Sequence, residues 1–184
     1  RRSSDLETKG GIPMKIRVTE VRDLPAVMEI LHQAQAYFKA QGIDQWQDGY
    51  PDEATIRQDI QNGTAYLVEL DGIVAACATI AFTPDENYTT MVSGQWLTDR
   101  PYAVIHRIAV DDKLKGRGIA GWILEQAEHL CRQRGVESLK IDTHQDNTSM
   151  RRLLEKQNYH YCGVIQLHRD LSLRVAYEKR LDKK

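Results

Sequence analysis

Ile105–Ala120 reads IHRIAVDDKLKGRGIA. The apolar run Ile105 to Val110 predicts a strand, and a charged spacer, Asp111 to Lys115, follows it. Gly116-Arg117-Gly118 then leads into an amphipathic helix. A strand that feeds a glycine-rich turn at a helix start suits a phosphate: glycines let backbone N–H groups come close to an anion, and a helix N-terminus adds unpaired donors and a positive dipole end. Lys113, Lys115 and Arg117 add positive charge at the same place.

Upstream, Lys15 to Thr19 alternates as a strand. Asp23 stands at a helix N-cap position with Pro25 in the first turn, and the helix ends at Gly42. Ile43 to Pro51 is a loop rich in aromatic and acidic residues, and Asp52 to Gln61 is a shorter helix. Thr64–Leu70 and Ile73–Phe82 are strands joined by Asp71-Gly72, a hairpin signal. Pro84 to Pro101 is a long excursion, and long loops in compact domains often carry function. A strand over Tyr102–Val110, a helix over Gly116–Arg134, a strand over Ser138–Thr143, a helix capped by Asp146 or Asn147, and strands over Tyr159–Gln166 and Arg174–Lys179 complete the chain. This order predicts one α/β (α+β) domain with a mixed sheet. The polar first 13 residues are expected to be an added or disordered leader. Met14 is the expected start, and the domain is expected to span residues 14–184.

The chain has 184 residues, with 41% hydrophobic and 28% charged, as in a globular protein. A net charge of −1 gives no bulk field that favours nucleic acid or an anionic membrane. No apolar run approaches the ~18–20 residues that span a bilayer. Cys77, Cys131 and Cys162 are far apart, and no CxxC or HxxxH spacing occurs. A disulfide framework or a metal site is not expected, and a reducing cytoplasm fits.

Gly116 to Gly121 satisfies GxGxxG, and Asp142 lies where a dinucleotide fold places its ribose-binding acid. The charged spacer and the short chain remaining after the motif argue against that ligand. A P-loop is excluded because no Lys-Ser or Lys-Thr follows the glycines. Lys113-Leu114-Lys115-Gly116-Arg117-Gly118 instead resembles the Arg/Gln-x-x-Gly-x-Gly/Ala signature of the GNAT superfamily of acyl-CoA N-acyltransferases, with Lys at the first position. Asn147 to Tyr159 (NTSMRRLLEKQNY) is similar to a later helix of that family, and the element order from Lys15 to Lys179 matches.

The resemblance implies a mostly antiparallel sheet of about six or seven strands, about four helices and two central parallel strands that splay apart. It implies that acetyl-CoA is the cosubstrate. Its diphosphate is expected on the amides of Lys115, Gly116, Arg117, Gly118, Ile119 and Ala120. Its pantetheine arm is expected along Ile108, Ala109 and Val110, with Asn147 and Met150 on the far side. In the family the acceptor amine attacks the thioester directly. This needs a base, donors for an oxyanion and an acid for the leaving thiolate.

His106 is the expected base, since imidazole chemistry suits deprotonating an amine, and the Ile108 amide is the expected oxyanion donor. The tyrosine that many relatives use as acid is Leu154 here, so either Tyr161 or His144 serves, with Tyr159 and Cys162 nearby but more in keeping with the core, or the thiolate leaves unassisted and water protonates it. Trp46, Tyr50, Tyr88 and Trp96 are expected to wall the acceptor pocket by stacking, with Asp44 and Asp48 drawing an ammonium. The expected function is transfer of an acetyl group to a small-molecule or peptide amine. The alternative is a non-catalytic acyl-CoA-binding or sensing domain. Open strand edges near the C-terminus make a homodimer an expectation.

Overall fold

A computed structural model describes residues 7–9 and 12–181. These residues form two compact units. One holds the chain up to Ile80 together with Arg107–Gln126; the other holds Ala81–His106 and the chain from Ala127 onward.

In the first unit, β1 (Glu7–Lys9) and β2 (Ile12–Val18) pair antiparallel, and β2 pairs with β3 (Ala65–Leu70), which pairs with β4 (Ile73–Ala81). Asp71 and Gly72 take φ of 52° and 73° in the hairpin, the left-handed pair that matches strand twist. β6 (Ala103–Val110) contributes its second half to this unit, and the Asp111 amide donates to the Ala75 carbonyl of β4. The alternation of β-strand side chains divides two cores. Leu67, Cys77 and Ala109 pack with Leu24, Val27, Ile30 and Leu31 of α1 (Leu24–Ala40) and Ile56 of α2 (Glu53–Gln61). Val68, Ala76 and Ala78 pack with Ile119, Trp122 and Ile123 of α3 (Ile119–Gln133).

The second unit has the strand order β6, β7 (Ser138–Thr143), β9 (Leu173–Arg180), β8 (His160–Gln166), β5 (Met91–Gly94). Among the described residues of this unit the β6–β7 pair is parallel, and β7–β9, β9–β8 and β8–β5 are antiparallel. The parallel ladder joins Ala103 to Leu139 and Val104 to Lys140 and ends there, although β7 continues to Thr143. α4 (Thr148–Lys156) follows β7, capped by Asn147, whose side chain accepts from the Met150 amide at 3.2 Å.

Several sequence expectations are corrected. Among the described residues nine strands are paired, two more than expected. One extra strand, Glu7–Lys9, falls inside the expected leader, where a hairpin partner is available in β2; residues 1–6 and 10–11 lie outside the described residues. The other, β5, falls in the Pro84–Pro101 excursion. Its residues are mostly exposed, so no alternation announces it, and only pairing with β8 makes it a strand. Asp23 does not cap α1 with its side chain. It accepts a two-pronged bond from Arg17 and a third from the Glu20 amide, each at 2.8 Å. The helix after the glycine turn begins at Ile119 rather than Gly116, because Gly116 and Gly118 take φ of 79° and 75°, outside the helical region.

Gly94 and Gly163 face each other across β5 and β8. A Cβ at Gly94 would lie 2.0 Å from the Cys162 carbonyl oxygen, and one at Gly163 would lie 2.1 Å from that of Ser93. Backbone on both sides leaves little room to yield. Gly94→Ala and Gly163→Ala are each expected to lower unfolding free energy by about 2–3 kcal/mol. Gly72→Ala meets no neighbouring atom within 4 Å and is expected to cost only about 1 kcal/mol. Urea unfolding compares them; equal losses at all three positions would refute the close-approach account.

Candidate functional site

β6 changes character after Val104. Its ladder with β7 stops, and two residues beyond His106's predecessor the backbone inverts: Arg107 takes φ of 50°. For a residue with a Cβ, that conformation costs roughly 1–2 kcal/mol, and in a strand it marks a local distortion. On the β4 side, the Cys77 thiol faces the inverted residue. Its Sγ lies 3.8 Å from the Arg107 carbonyl oxygen, and the Ala109 amide donates to it. Burial pushes this thiol up to about 12, so it fills space and satisfies backbone groups without thiolate chemistry.

The Arg107 side chain runs into the first unit's interior. Its Nε and Nη2 donate to the two oxygens of Asp59, each at 2.8 Å, and Nη1 donates to the Tyr50 hydroxyl at 2.7 Å. Asp59 also accepts from Thr79 Oγ1 at 2.7 Å. Burial opposes the guanidinium's charge, but Tyr50 and Asp59 outweigh it and raise its pKa. Tyr50, expected to stack on an acceptor, is thus bonded to a guanidinium. Trp46 packs edge-on against Phe38 at 5.4 Å and joins the core under α1.

Past Val110, the turn is held to α1. The Asp112 amide donates to Gln33 Oε1 at 2.9 Å, and Lys115 Nζ sits 4.0 Å from the centre of the Tyr37 ring and 2.8 Å from Asp112. Lys113, Gly116, Arg117 and Gly118 are exposed. The Trp122 amide donates to the Gly118 carbonyl, so amides ahead of it lie at the open helix end. This end fits a diphosphate: glycines at positive φ, N-terminal amides and the exposed Lys113 and Arg117 charges all favour an anion.

In the second unit, His106 Nε2 lies 2.8 Å from Asp85 Oδ2, with side chains 24% and 14% exposed. Burial would raise Asp85, but the hydrogen bond and charge of His106, with the Asn87 amides, hold it below the usual carboxylate range. An ionised carboxylate only accepts, so Nε2 is the nitrogen that donates to Asp85. The Tyr88 ring lies 6.1 Å from that of His106, and its hydroxyl donates to Asp142 at 2.5 Å. Tyr88 is buried in a cluster with Val104, Ile165 and Ala176, and Trp96 donates its indole N–H to the Tyr88 carbonyl at 2.8 Å. These two aromatic residues therefore build the support beside His106, and Asp142, the acid of the dinucleotide reading, receives a tyrosine instead of a ribose.

The remaining expected residues divide. His144, at the end of β7, accepts from the Asp146 amide through Nδ1 at 3.0 Å. Asn147 caps α4 and donates to Thr143 Oγ1 at 3.1 Å, and Met150 is half-buried one turn on. Tyr161 is not brought to His106. It is 48% exposed on β8, with β9 between it and β7, and packs edge-on against Tyr177 at 5.7 Å. Leu154 is fully buried, a core side chain in the place of the family tyrosine. Sequence reasoning missed Asp85, Asp59 and the inversion at Arg107. Asp85 carries one signal, its place in the long excursion; the other two have no spacing that announces them.

Burial raises the Asp142 carboxyl, although His106, Tyr88 and Arg174 oppose the shift. A carboxyl raised in the folded state destabilises once ionised. The penalty is absent below the unfolded value, near 3.9, and is complete above the raised folded value. Asp142→Asn is expected to be more stable than wild type at pH 7, with the gap closing as pH falls to about 4. Urea midpoints across this range test the sign; a gap that widens on acidification would reverse it.

The Acetyltransferase (GNAT) family model matches residues 26–159. A GNAT-family acetyltransferase structure from Streptococcus agalactiae 2603 is 34% identical, with a TM-score of 0.85 over 97% of this chain and 100% of that one. The ribosomal-protein-S18-alanine N-acetyltransferase of Escherichia coli shares the fold at 18% identity, with a TM-score of 0.64 over 93% of this chain and 96% of that one. An amino-acid acetyltransferase from Mannheimia succiniciproducens is 23% identical over 90% of this chain, which spans only 31% of that relative's length. With a family match across most of its length and a strand that leaves its parallel neighbour before a glycine turn, this chain belongs to the GNAT acetyltransferase family and is an acyltransferase.

Proposed function

We propose that the protein moves the acetyl group of acetyl-CoA to an amine by direct attack, with His106 as the base. The observation that carries this reading is the His106–Asp85 pair on the strand that gives up its ladder. Asp85 fixes the imidazole through Nε2 and leaves Nδ1 to take the ammonium proton, directly or through a water. The Ile108 amide, just past the inverted residue, donates to the thioester oxygen as charge develops on it. The amides and cationic side chains of Lys113 to Ala120 hold the diphosphate, and the edge of Ile108 to Val110 takes the pantetheine arm. When bound, acetyl-CoA supplies an activated acetyl group and a thiolate leaving group. His144 is the better placed of the two candidate acids, because β7 adjoins β6, whereas Tyr161 stands two strands further out.

The acceptor is an amine. Relatives named for an amino acid and for a ribosomal-protein alanine have amine acceptors in common and nothing narrower. Thiol release from acetyl-CoA is measured with amino acids, a polyamine, an arylalkylamine, an alanine-terminal peptide and a lysine peptide. Turnover with at least one is expected. His106→Ala is expected to lower kcat about 100-fold and to remove the acidic limb of the pH–rate profile, with acetyl-CoA affinity by calorimetry unchanged. Affinity without turnover across the panel would favour an acyl-CoA sensor, and an intact acidic limb would remove His106 from the base role.

A further inference from the structure

We propose that Arg107 is a positioning residue for acetyl transfer, its guanidinium clamped by Asp59 and Tyr50 so that the inverted backbone at residue 107 keeps the Ile108 amide turned out of the ladder. The proposal rests on the functional reading above, in which that amide meets the thioester oxygen.

The conformation alone does not call for arginine. A backbone at φ of 50° favours glycine or asparagine, because a Cβ is strained there. The chain instead places its longest cationic side chain at that point, and all three guanidinium nitrogens are engaged: two on Asp59 and one on Tyr50 Oη. The side chains of Arg107 and Asp59 are 13% and 8% exposed. Stability is a weak explanation for such a pair, since buried ion pairs can often be exchanged for apolar residues without loss. The fork does supply geometry. A bidentate Arg–carboxylate bond fixes orientation as well as distance, and Asp59 is itself held by Thr79 of β4 while it stands on α2. The clamp therefore ties one residue of β6 to a helix, to the preceding loop through Tyr50, and to the neighbouring strand.

The need for a clamp follows from the ladder. Regular pairing on both sides would hold a central strand in place, but the recorded pairing with β7 ends at Val104. On the β4 side a thiol, a weak partner, meets the Arg107 carbonyl at 3.8 Å. Where the β7 ladder has ended, the guanidinium clamp adds a side-chain restraint at the strained φ.

The test uses the full chain, acetyl-CoA and the fastest amine of the panel. Arg107→Lys keeps the charge and loses the fork. The double variant Arg107→Met with Asp59→Leu replaces the pair by apolar volume. Both are expected to lose about 10–100-fold in kcat. Amine KM and acetyl-CoA affinity should stay within about threefold, the range left when binding contacts are untouched, and the acidic limb of the pH profile should persist because His106 is intact. The double variant is expected to melt close to wild type. A folded variant with wild-type kcat overturns the proposal. So does loss of fold in both variants, which would make the pair purely structural. Wild-type protein that binds acetyl-CoA but turns over no amine fails the functional reading itself, an outcome separate from either.

Discussion

One constraint organises this molecule: β6 abandons its parallel neighbour while still inside the sheet. A strand that loses a partner exposes backbone donors and acceptors, and buried backbone groups left unpaired are costly. The ladder with β7 runs for two register pairs and stops. Beyond that point the backbone inverts at Arg107, and the strand proceeds to a turn whose glycines reach positive φ.

Each unit holds buried pairings of polar side chains. Arg107 is locked to Asp59 and Tyr50 in the first. In the second, His106 meets Asp85, and Tyr88 meets Asp142. Their electrostatics differ. Asp85 is held ionised by a partner that can carry positive charge, whereas Asp142 faces a neutral phenol and is raised by burial. Two carboxylates in one unit thus have opposite tendencies, set by whether the nearest partner offsets desolvation. Stability alone does not select such groups, because a partnered buried charge gains little over apolar packing. Their value is orientation.

The cores on the two faces of the first unit's strands explain why the turn is held where it is. Ile119, Trp122 and Ile123 anchor the start of α3 against Val68, Ala76 and Ala78, so the open helix end stands on a packed base. Gln33 and Tyr37 of α1 fasten the residues just ahead of it. A loop that binds an anion through main-chain amides depends on such fastening, since disordered amides must lose entropy before they can donate.

The sequence by itself determined most of the order of elements, the Asp71-Gly72 hairpin, a cap ahead of α4, and the strand–glycine turn–helix unit. Each follows from local sterics, periodicity or a side chain bonding to backbone three residues away, and such short-range effects survive without knowledge of the fold. Tertiary structure alone decided that Met91–Gly94 is a strand, that Asp23 binds Arg17, that the Tyr88 hydroxyl meets Asp142, and that Arg107 is inverted. His106 and Asp85 are 21 residues apart, Arg107 and Asp59 are 48, and Tyr88 and Asp142 are 54. No periodicity links positions at those separations. Which charges meet depends on which strands become neighbours and where a ladder breaks, and the collective burial of apolar faces fixes both.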